Sequence, residues 1–296
     1  MATPEPTMLD SGGGALGPLL RAALPSLPVL GRLPGIRKAA PAGFTGLAVA
    51  RPPVSIERAH VAAYAAVCGF PEKDTVPLTY PHLWAFGLHL AMMTDPAFPA
   101  PAIGTVHLEN TLVSHRPIGI GETLSVGATV GPGQPHPRGT TYRFSTTVTA
   151  AGTDAPLWES VSTYLRRGRG DETATSGTVL PDALVGGTTW RLAGDLGRRY
   201  AAVSGDHNPI HLHPLSAKAL GFPRQIAHGM WSKARCLAAI ENRLPDAVRV
   251  EVGFRRPILL PGSVVFATRP TDEGHVFSVT HPGTGSTHLV GRATSL

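Results

Sequence analysis

The sequence has little cysteine: only Cys68 and Cys236 occur among its 296 residues. They form neither a Cys-x-x-Cys pair nor a disulfide framework, so we expect a reducing compartment. No apolar run reaches the roughly 18 residues of a membrane-spanning helix. The partly apolar stretch 15–35 is interrupted by prolines and follows no basic region, which disfavours a signal peptide. We therefore expect a cytoplasmic protein with no membrane span.

Charge is also scarce, since Asp, Glu, Lys and Arg make up 16% of the chain, against 42% for hydrophobic residues. That balance excludes wholesale disorder and allows a sizeable core. The net charge of +6 favours anionic partners such as phosphorylated cofactors or acidic carrier proteins. The basic run 166–170 is short and lacks interleaved aromatic residues, so no nucleic-acid partner is predicted.

What the chain does contain is an internal repeat. Three pairs of segments match in the same order: a Tyr-Ala-Ala-Val-Cys/Ser-Gly hexapeptide, a tryptophan-containing segment with helical spacing of apolar residues, and a segment sharing Arg-Pro-Ile. The matched pairs are 64–69 with 200–205, 80–93 with 227–240, and 114–126 with 254–266. In both copies, β-rich segments follow.

Each copy therefore predicts a short helical entry, a long helix and three or four antiparallel strands. A long helix wrapped by a curved antiparallel sheet is the hot-dog arrangement, so the predicted fold is α+β, a double hot dog. The domains predicted from the repeat and from composition are an N-terminal extension, partly disordered, at 1–50, a first copy at 51–167, a linker at 168–187 and a second copy at 188–296.

The two copies differ in the segment between the hexapeptide and the tryptophan, and in the second copy this segment contains ionisable residues. The spacing from the hexapeptide glycine to the tryptophan is 15 positions in the first copy and 26 in the second, so the second carries 11 extra residues. Asp206 and His211 lie in this insertion, whereas the first copy has Phe70 opposite Asp206. Five positions apart, the two side chains would diverge on a helix, because five residues turn through about 500°. A turn at Asn208-Pro209 is needed to bring them together.

These residues resemble a known signature. The segments "YAAVSGDHNPIH" (200–211) and "AKALGFPRQIAHGM" (217–230) closely resemble the MaoC-like, (R)-specific enoyl-CoA hydratases, or type 2 hydratases. The first copy resembles the degenerate first hot dog of the two-domain 3-hydroxyacyl-thioester dehydratases. The resemblance implies a hydro-lyase of fatty-acid or related lipid metabolism. It would add water reversibly to a trans-2-enoyl thioester to give the (3R)-hydroxyacyl thioester, without a metal or redox cofactor.

The resemblance also implies roles for individual residues. Asp206 and His211 would be the general acid–base pair around the reacting water. Gly229, at the expected start of the long helix, would be the oxyanion donor, because a helix N-terminus offers free N–H groups. Four more residues are predicted to line the substrate site: Tyr200, Ser204, Asn208 and His228.

Other interpretations stay open on the sequence. Arg255 and Arg256 are candidates for the phosphates of coenzyme A or of an acyl carrier protein, and equally for a solvated strand edge. A metal site of Asp206 with His207, His211 and His213 is disfavoured, because Pro214 restricts its neighbour and no cupin-like glutamate follows. The remaining alternatives are a hot-dog thioesterase and a non-catalytic subunit that binds acyl thioesters. Both a homodimer and a pseudo-dimeric monomer agree with the repeat.

Overall fold

The structure is a computed structural model that describes residues 6–9, 43–102, 104–175 and 177–296. Most of the predicted extension 1–50 lies outside the described residues, and so does the prediction that it is partly disordered. Of that extension, residues 6–9 and 43–50 are described, and the strand Leu47–Ser55 runs across the predicted boundary at residue 51. The bounds of the four predicted domains stay predictions.

The same succession of elements occurs twice along the chain, in agreement with the repeat, apart from two extra strands in the first copy and, in the second, two short helices and a 3₁₀ turn at Glu241–Arg243. Up to Arg167 the elements are β1 Thr7–Met8, β2 Leu47–Ser55, α1 Arg58–Cys68, α2 His82–Thr94, β3 Thr105–Ser114, β4 Thr123–Val130, β5 Gln134–His136, β6 Gly139–Ala150 and β7 Pro156–Arg167. From Thr188 they are β8 Thr188–Leu192, α3 Leu196–Ser204, α4 Pro209–Leu212, α5 Pro214–Ala219, α6 Gly229–Ile240, β9 Val248–Phe254, β10 Gly262–Thr271, β11 Gly274–Thr280 and β12 Thr287–Ser295. The 11 extra residues of the second copy therefore form the short helices α4 and α5. The matched tryptophans, Trp84 and Trp231, each occupy the third position of a long helix.

The chain divides into two compact units, each built from several segments. Unit 1 comprises the described parts of Met1–Val54, His82–Leu108 and Thr123–Gly177. Its strands lie in the order β1-β2-β4-β6-β7, where β1 and β2 are parallel and the pairs β4–β6 and β6–β7 are antiparallel, and α2 packs on β4. Strand β6 shows why a sheet forms: Phe144, Thr146 and Val148 are buried, and the residues between them are exposed.

Unit 2 comprises Ser55–Pro81, Glu109–Glu122 and Thr178–Leu296. The part of β3 from Glu109 onward begins an antiparallel strand order that continues β9-β12-β11-β10-β8. Helix α6 is buried along most of its length, and its Trp231 indole donates a hydrogen bond to the Val67 carbonyl of α1 at 3.0 Å. Unit 2 therefore contains both copies of the hexapeptide.

The hexapeptide is a helix C-terminus in both copies. Gly69 and Gly205 follow α1 and α3 with φ values of 82° and 73°, the left-handed conformation that glycine adopts most readily. The tyrosines that open the hexapeptides, Tyr64 and Tyr200, are buried with ring centroids 6.2 Å apart. The repeated sequence thus encodes a capped helix with a core tyrosine.

The Arg-Pro-Ile repeat holds the segment that leads to each long helix. The Ile118 carbonyl accepts the Val76 N–H at 2.9 Å, and the Ile258 carbonyl accepts the Ala227 N–H at 2.9 Å. In the second copy this bond fixes the two residues before Gly229. The motif recurs because each copy anchors the entry to its helix in the same way.

Among the residues described, no helix combines the length and the apolar character that a membrane crossing requires.

Candidate functional site

The turn between α3 and α4 carries the first part of the site. Asp206 Oδ1 accepts the Asn208 N–H at 3.1 Å, and the Asp206 N–H donates to Ser204 Oγ at 3.2 Å. Asn208 is the N-cap of α4, where its Oδ1 accepts the Ile210 N–H at 3.4 Å, and Pro209 is the first helical residue. The chain therefore reverses at Asn208-Pro209, as the spacing of Asp206 and His211 requires.

His211 has a defined tautomer. Its Nδ1 lies 2.8 Å from the Ile226 carbonyl oxygen, which can only accept, so Nδ1 carries the proton and Nε2 carries a lone pair. The main chain of His211 packs directly on α3, because a Cβ added to Gly197 would collide with the His211 carbonyl oxygen. The imidazole is thus held by a backbone hydrogen bond on one side and by a close helix contact on the other.

His228 is the most deeply buried member of a cluster that it forms with Asp206 and His211. Its ring stacks on His211 with centroids 3.7 Å apart and an interplanar angle of 26°, and it contacts Tyr200 with centroids 4.8 Å apart. Nε2 donates to the Asp206 carbonyl oxygen at 3.0 Å and lies 3.8 Å from Asp206 Oδ2. His228 is buried, so it acts on the cluster through these contacts.

The predicted acid–base residues converge. Asp206, His211 and His228 each bring one nitrogen or oxygen atom within 4.8 Å of the others. The Asp206 side chain is 21% exposed whereas that of His228 is 2% exposed, so solvent reaches the cluster at the carboxylate. Gly229 follows His228 as the first residue of α6, where an N–H has no acceptor within the helix. An imidazole, a carboxylate and a helix N-terminus therefore meet in unit 2.

The geometry of these three side chains suits a metal ion poorly. Ring lone pairs lie in the imidazole plane, and the nearly parallel stack of His211 and His228 prevents both from pointing at one ion. Nδ1 of His211 and Nε2 of His228 already donate to backbone carbonyls. The prediction of no resident metal stays a prediction, supported by this arrangement of donors.

Burial decides the protonation of both histidines. Burial lowers the pKa of His211, although the Asp206 carboxylate and the Ile226 hydrogen bond oppose this. Burial, together with the neighbouring His211, lowers the pKa of His228 well below its ordinary value. Both rings are therefore neutral at neutral pH, and His211 Nε2 is available as a base.

We expect the free energy of unfolding to fall as the pH drops below about 6.5, the pKa of an unfolded histidine. Above that pH the two histidine rings are neutral in the folded and in the unfolded chain, so the stability is fully present. Below it the unfolded chain binds protons that buried His211 and His228 exclude in the folded chain. Each such histidine contributes a slope of up to about 1.4 kcal/mol per pH unit. Urea unfolding between pH 8 and pH 5 measures it. His228→Gln should reduce the slope and exposed His213→Gln should not; equal slopes in the two variants would contradict the assignment.

The remaining predicted residues fall into two groups. Tyr200 and Ser204 are buried in the last turns of α3, and Tyr200 contacts the cluster through His228, which favours a supporting role over direct contact with a substrate. Arg255 and Arg256 are exposed just after β9. The residue before them, Phe254, has its ring 3.2 Å from where a Cβ on Gly229 would lie. The two arginines thus follow directly on a residue that packs against the helix N-terminus.

Sequence reasoning missed three features of unit 2. These are Gly197, the Ile226 carbonyl and a fully buried lysine, Lys233, in α6. A glycine inside a helical pattern is a known sign of close approach, and a lysine on an apolar helix is unusual, so two of the three left a signal. A backbone carbonyl leaves none.

Comparison with known proteins gives concordant results. A profile of the MaoC like domain matches residues 188–289. The 3-hydroxyacyl-thioester dehydratase X of Mycobacterium tuberculosis is 36% identical over 284 residues, which cover 94% of this chain and 97% of the relative. The crystal structure of HtdX from the same organism superposes with a TM-score of 0.74 and 35% identity, covering 84% of this chain and all of that one.

A more distant structure, the MaoC-like dehydratase of Phytophthora capsici, has a TM-score of 0.65 at 18% identity, covering 88% of this chain and 99% of that one. At that identity it shows the fold alone. The predicted double hot dog is confirmed by these structural likenesses.

Proposed function

Because this chain belongs to the MaoC-like dehydratases, a family of hydro-lyases, we propose that it interconverts trans-2-enoyl and (3R)-hydroxyacyl thioesters by adding or removing water. The relative that matches almost the whole chain is named a 3-hydroxyacyl-thioester dehydratase. The observation that carries the proposal is the convergence of Asp206 and His211 beside the N-terminus of α6. In this interpretation the second copy performs the chemistry.

Each group has a defined task in hydration. A water O–H bond and the π bond between C2 and C3 of the enoyl group break, the water oxygen bonds to C3 and a proton bonds to C2, so the thioester gains one water. The neutral His211 Nε2 and the Asp206 carboxylate are the two acceptors that hold this water. The pair takes the proton and delivers it to C2, and dehydration is the reverse. One well-placed acid–base group contributes about 10²–10⁴-fold.

Charge that develops on the thioester oxygen needs a preorganised donor. The Gly229 N–H at the start of α6 is the proposed donor, and the helix dipole adds to its effect. The absence of a side chain at Gly229 allows the thioester carbonyl to approach the N–H. A Cβ at this position would in addition lie only 3.2 Å from the Phe254 ring. Asp206, His211 and Gly229 are thus the proposed catalytic residues.

The substrate is proposed to be carried on coenzyme A or an acyl carrier protein, both of which bear phosphate groups. Exposed Arg255 and Arg256 follow Phe254, which packs at Gly229, and are the proposed phosphate contacts. Asn208 and Ser204 shape the turn that holds Asp206. No cofactor is required by this chemistry.

The reaction is tested with crotonyl-CoA. We expect the absorbance of the enoyl thioester to fall without release of free thiol, and the product to be the (3R)-hydroxybutyryl thioester. Thiol release would instead support the thioesterase alternative, and neither change would support acyl-thioester binding alone. The thioesterase alternative also lacks a free carboxylate at the end of α6, because Glu241 pairs with Lys73 at 3.2 Å.

A further inference from the structure

Lys233 is a fully buried lysine in the second turn of α6, in unit 2. Lysine is almost never fully buried unless it is paired, because removing an ammonium group from water is costly. Most of the buried residues of the helix are apolar, including Trp231, Ala234 and Leu237. The proposed reaction does not use Lys233, so its burial needs another reason.

Three oxygen atoms surround the lysine Nζ. Asn110 Oδ1 lies at 2.6 Å, the Asn110 carbonyl oxygen at 3.2 Å and the Val250 carbonyl oxygen at 3.2 Å. Three acceptors match the three N–H donors of an ammonium group. Burial lowers the pKa of Lys233 well below its ordinary value, and the Glu251 carboxylate opposes this. The side chain is thus fixed in one position by directional bonds.

The acceptors lie at equivalent positions of the two copies. Asn110 and Val250 are 140 residues apart, the same offset as the Arg-Pro-Ile motifs, and they lie on the paired strands β3 and β9. Helix α2 of the first copy has Phe86 at the position of Lys233 and His82 at the position of Gly229. The lysine therefore occurs in the same copy as the glycine that is the proposed oxyanion donor.

We propose that Lys233 is a positioning residue that sets the location of the Gly229 N–H relative to the Asp206–His211 pair. Lys233 and Gly229 are four residues apart, so they share one face of α6, and a helical side chain points back toward the N-terminus. The hydrophobic effect is non-directional, so apolar burial by itself specifies the exact position of a helix less sharply than hydrogen bonds do. The three bonds to β3 and β9 add that directional constraint.

This inference rests on the proposed function, and its test begins with turnover. In Lys233→Met, which keeps the length and loses the donors, we expect kcat for crotonyl-CoA hydration to fall about 10–100-fold with KM within about threefold. A small displacement of a catalytic donor has an effect of this size. The matched control is Lys218→Met at the exposed lysine of α5, which should keep wild-type kcat. Rates are referred to the folded fraction measured by circular dichroism.

A second readout reports on the donor without any turnover. Butyryl-CoA cannot be hydrated, and the infrared stretch of its isotope-labelled thioester carbonyl shifts to lower frequency when a donor such as the Gly229 N–H polarises it. We expect the shift to be large in the wild type and in Lys218→Met, and reduced in Lys233→Met. A purely stabilising lysine would leave it unchanged per folded molecule.

The outcomes separate this inference from the proposed function. A wild-type protein that binds butyryl-CoA but hydrates no enoyl thioester contradicts the proposed function, whereas the carbonyl shift still tests Lys233. Wild-type kcat and carbonyl shift in folded Lys233→Met would overturn the positioning role. If that variant fails to fold, Asn110→Ala replaces it: loss of the 2.6 Å acceptor should lower kcat and the shift together, and wild-type values of both would overturn the proposal.

Discussion

His211→Ala and Asp206→Asn are each expected to abolish crotonyl-CoA hydration, lowering kcat by at least about 10²–10⁴-fold. His211 Nε2 is the lone pair left after Nδ1 binds the Ile226 carbonyl, so alanine removes the base. Asparagine at position 206 keeps the shape of the side chain and its bond from the Asn208 N–H, but removes the charge. Initial rates and far-ultraviolet circular dichroism together measure the effect.

The matched control for both variants is His207→Ala. His207 lies in the same turn but is exposed. Its Nδ1 is 3.1 Å from the Gly205 carbonyl oxygen, a contact with its own turn. It should retain wild-type turnover. Near-normal activity in folded His211→Ala or Asp206→Asn would show that the reacting water is held elsewhere.

Gly197→Ala is expected to lower activity about 10²-fold or more and to destabilise the protein by about 1–3 kcal/mol. Alanine has the higher helix propensity, so an increase of stability would be expected on an isolated helix. Here the new methyl group would collide with the main-chain carbonyl of His211, and backbone atoms cannot move aside as a flexible side chain can. Denaturant midpoints and hydration rates measure the two effects.

Gly87→Ala provides the comparison, because Gly87 lies exposed in α2 with no atom within 4 Å of an added Cβ. The same substitution there should increase stability by up to about 1 kcal/mol without affecting turnover. Similar behaviour of the two variants would mean that α3 and α4 can separate without displacing His211.

Much of this architecture could be predicted from local patterns. The repeat predicted a short helical entry in each copy, and the glycines that close α1 and α3 in a left-handed conformation explain why the shared hexapeptide ends there. Likewise, Asn208-Pro209 predicted a turn because an N-cap and a proline at the first helical position depend only on adjacent residues. Strands β6 and β9 carried the alternation that marks one buried face.

The site itself required contacts between distant segments. His228 was predicted to line the substrate site, but only the fold stacks it on His211 and buries it at 2% exposure. The Ile226 carbonyl selects the His211 tautomer from 15 residues away, and Asn110 binds Lys233 from 123 residues away. Backbone carbonyls are the same at every position of a sequence, so a pattern cannot indicate which one will accept a bond.

The sequence by itself determined the duplication, the helices and turns, and the presence of Asp206 and His211 in only one copy, because these depend on residue types close together along the chain. Only the tertiary structure decided which nitrogen of His211 is free, why Gly197 has no side chain and where Lys233 finds its partners. Those properties arise when strands and helices from distant segments pack within hydrogen-bonding distance, and that distance is set in space.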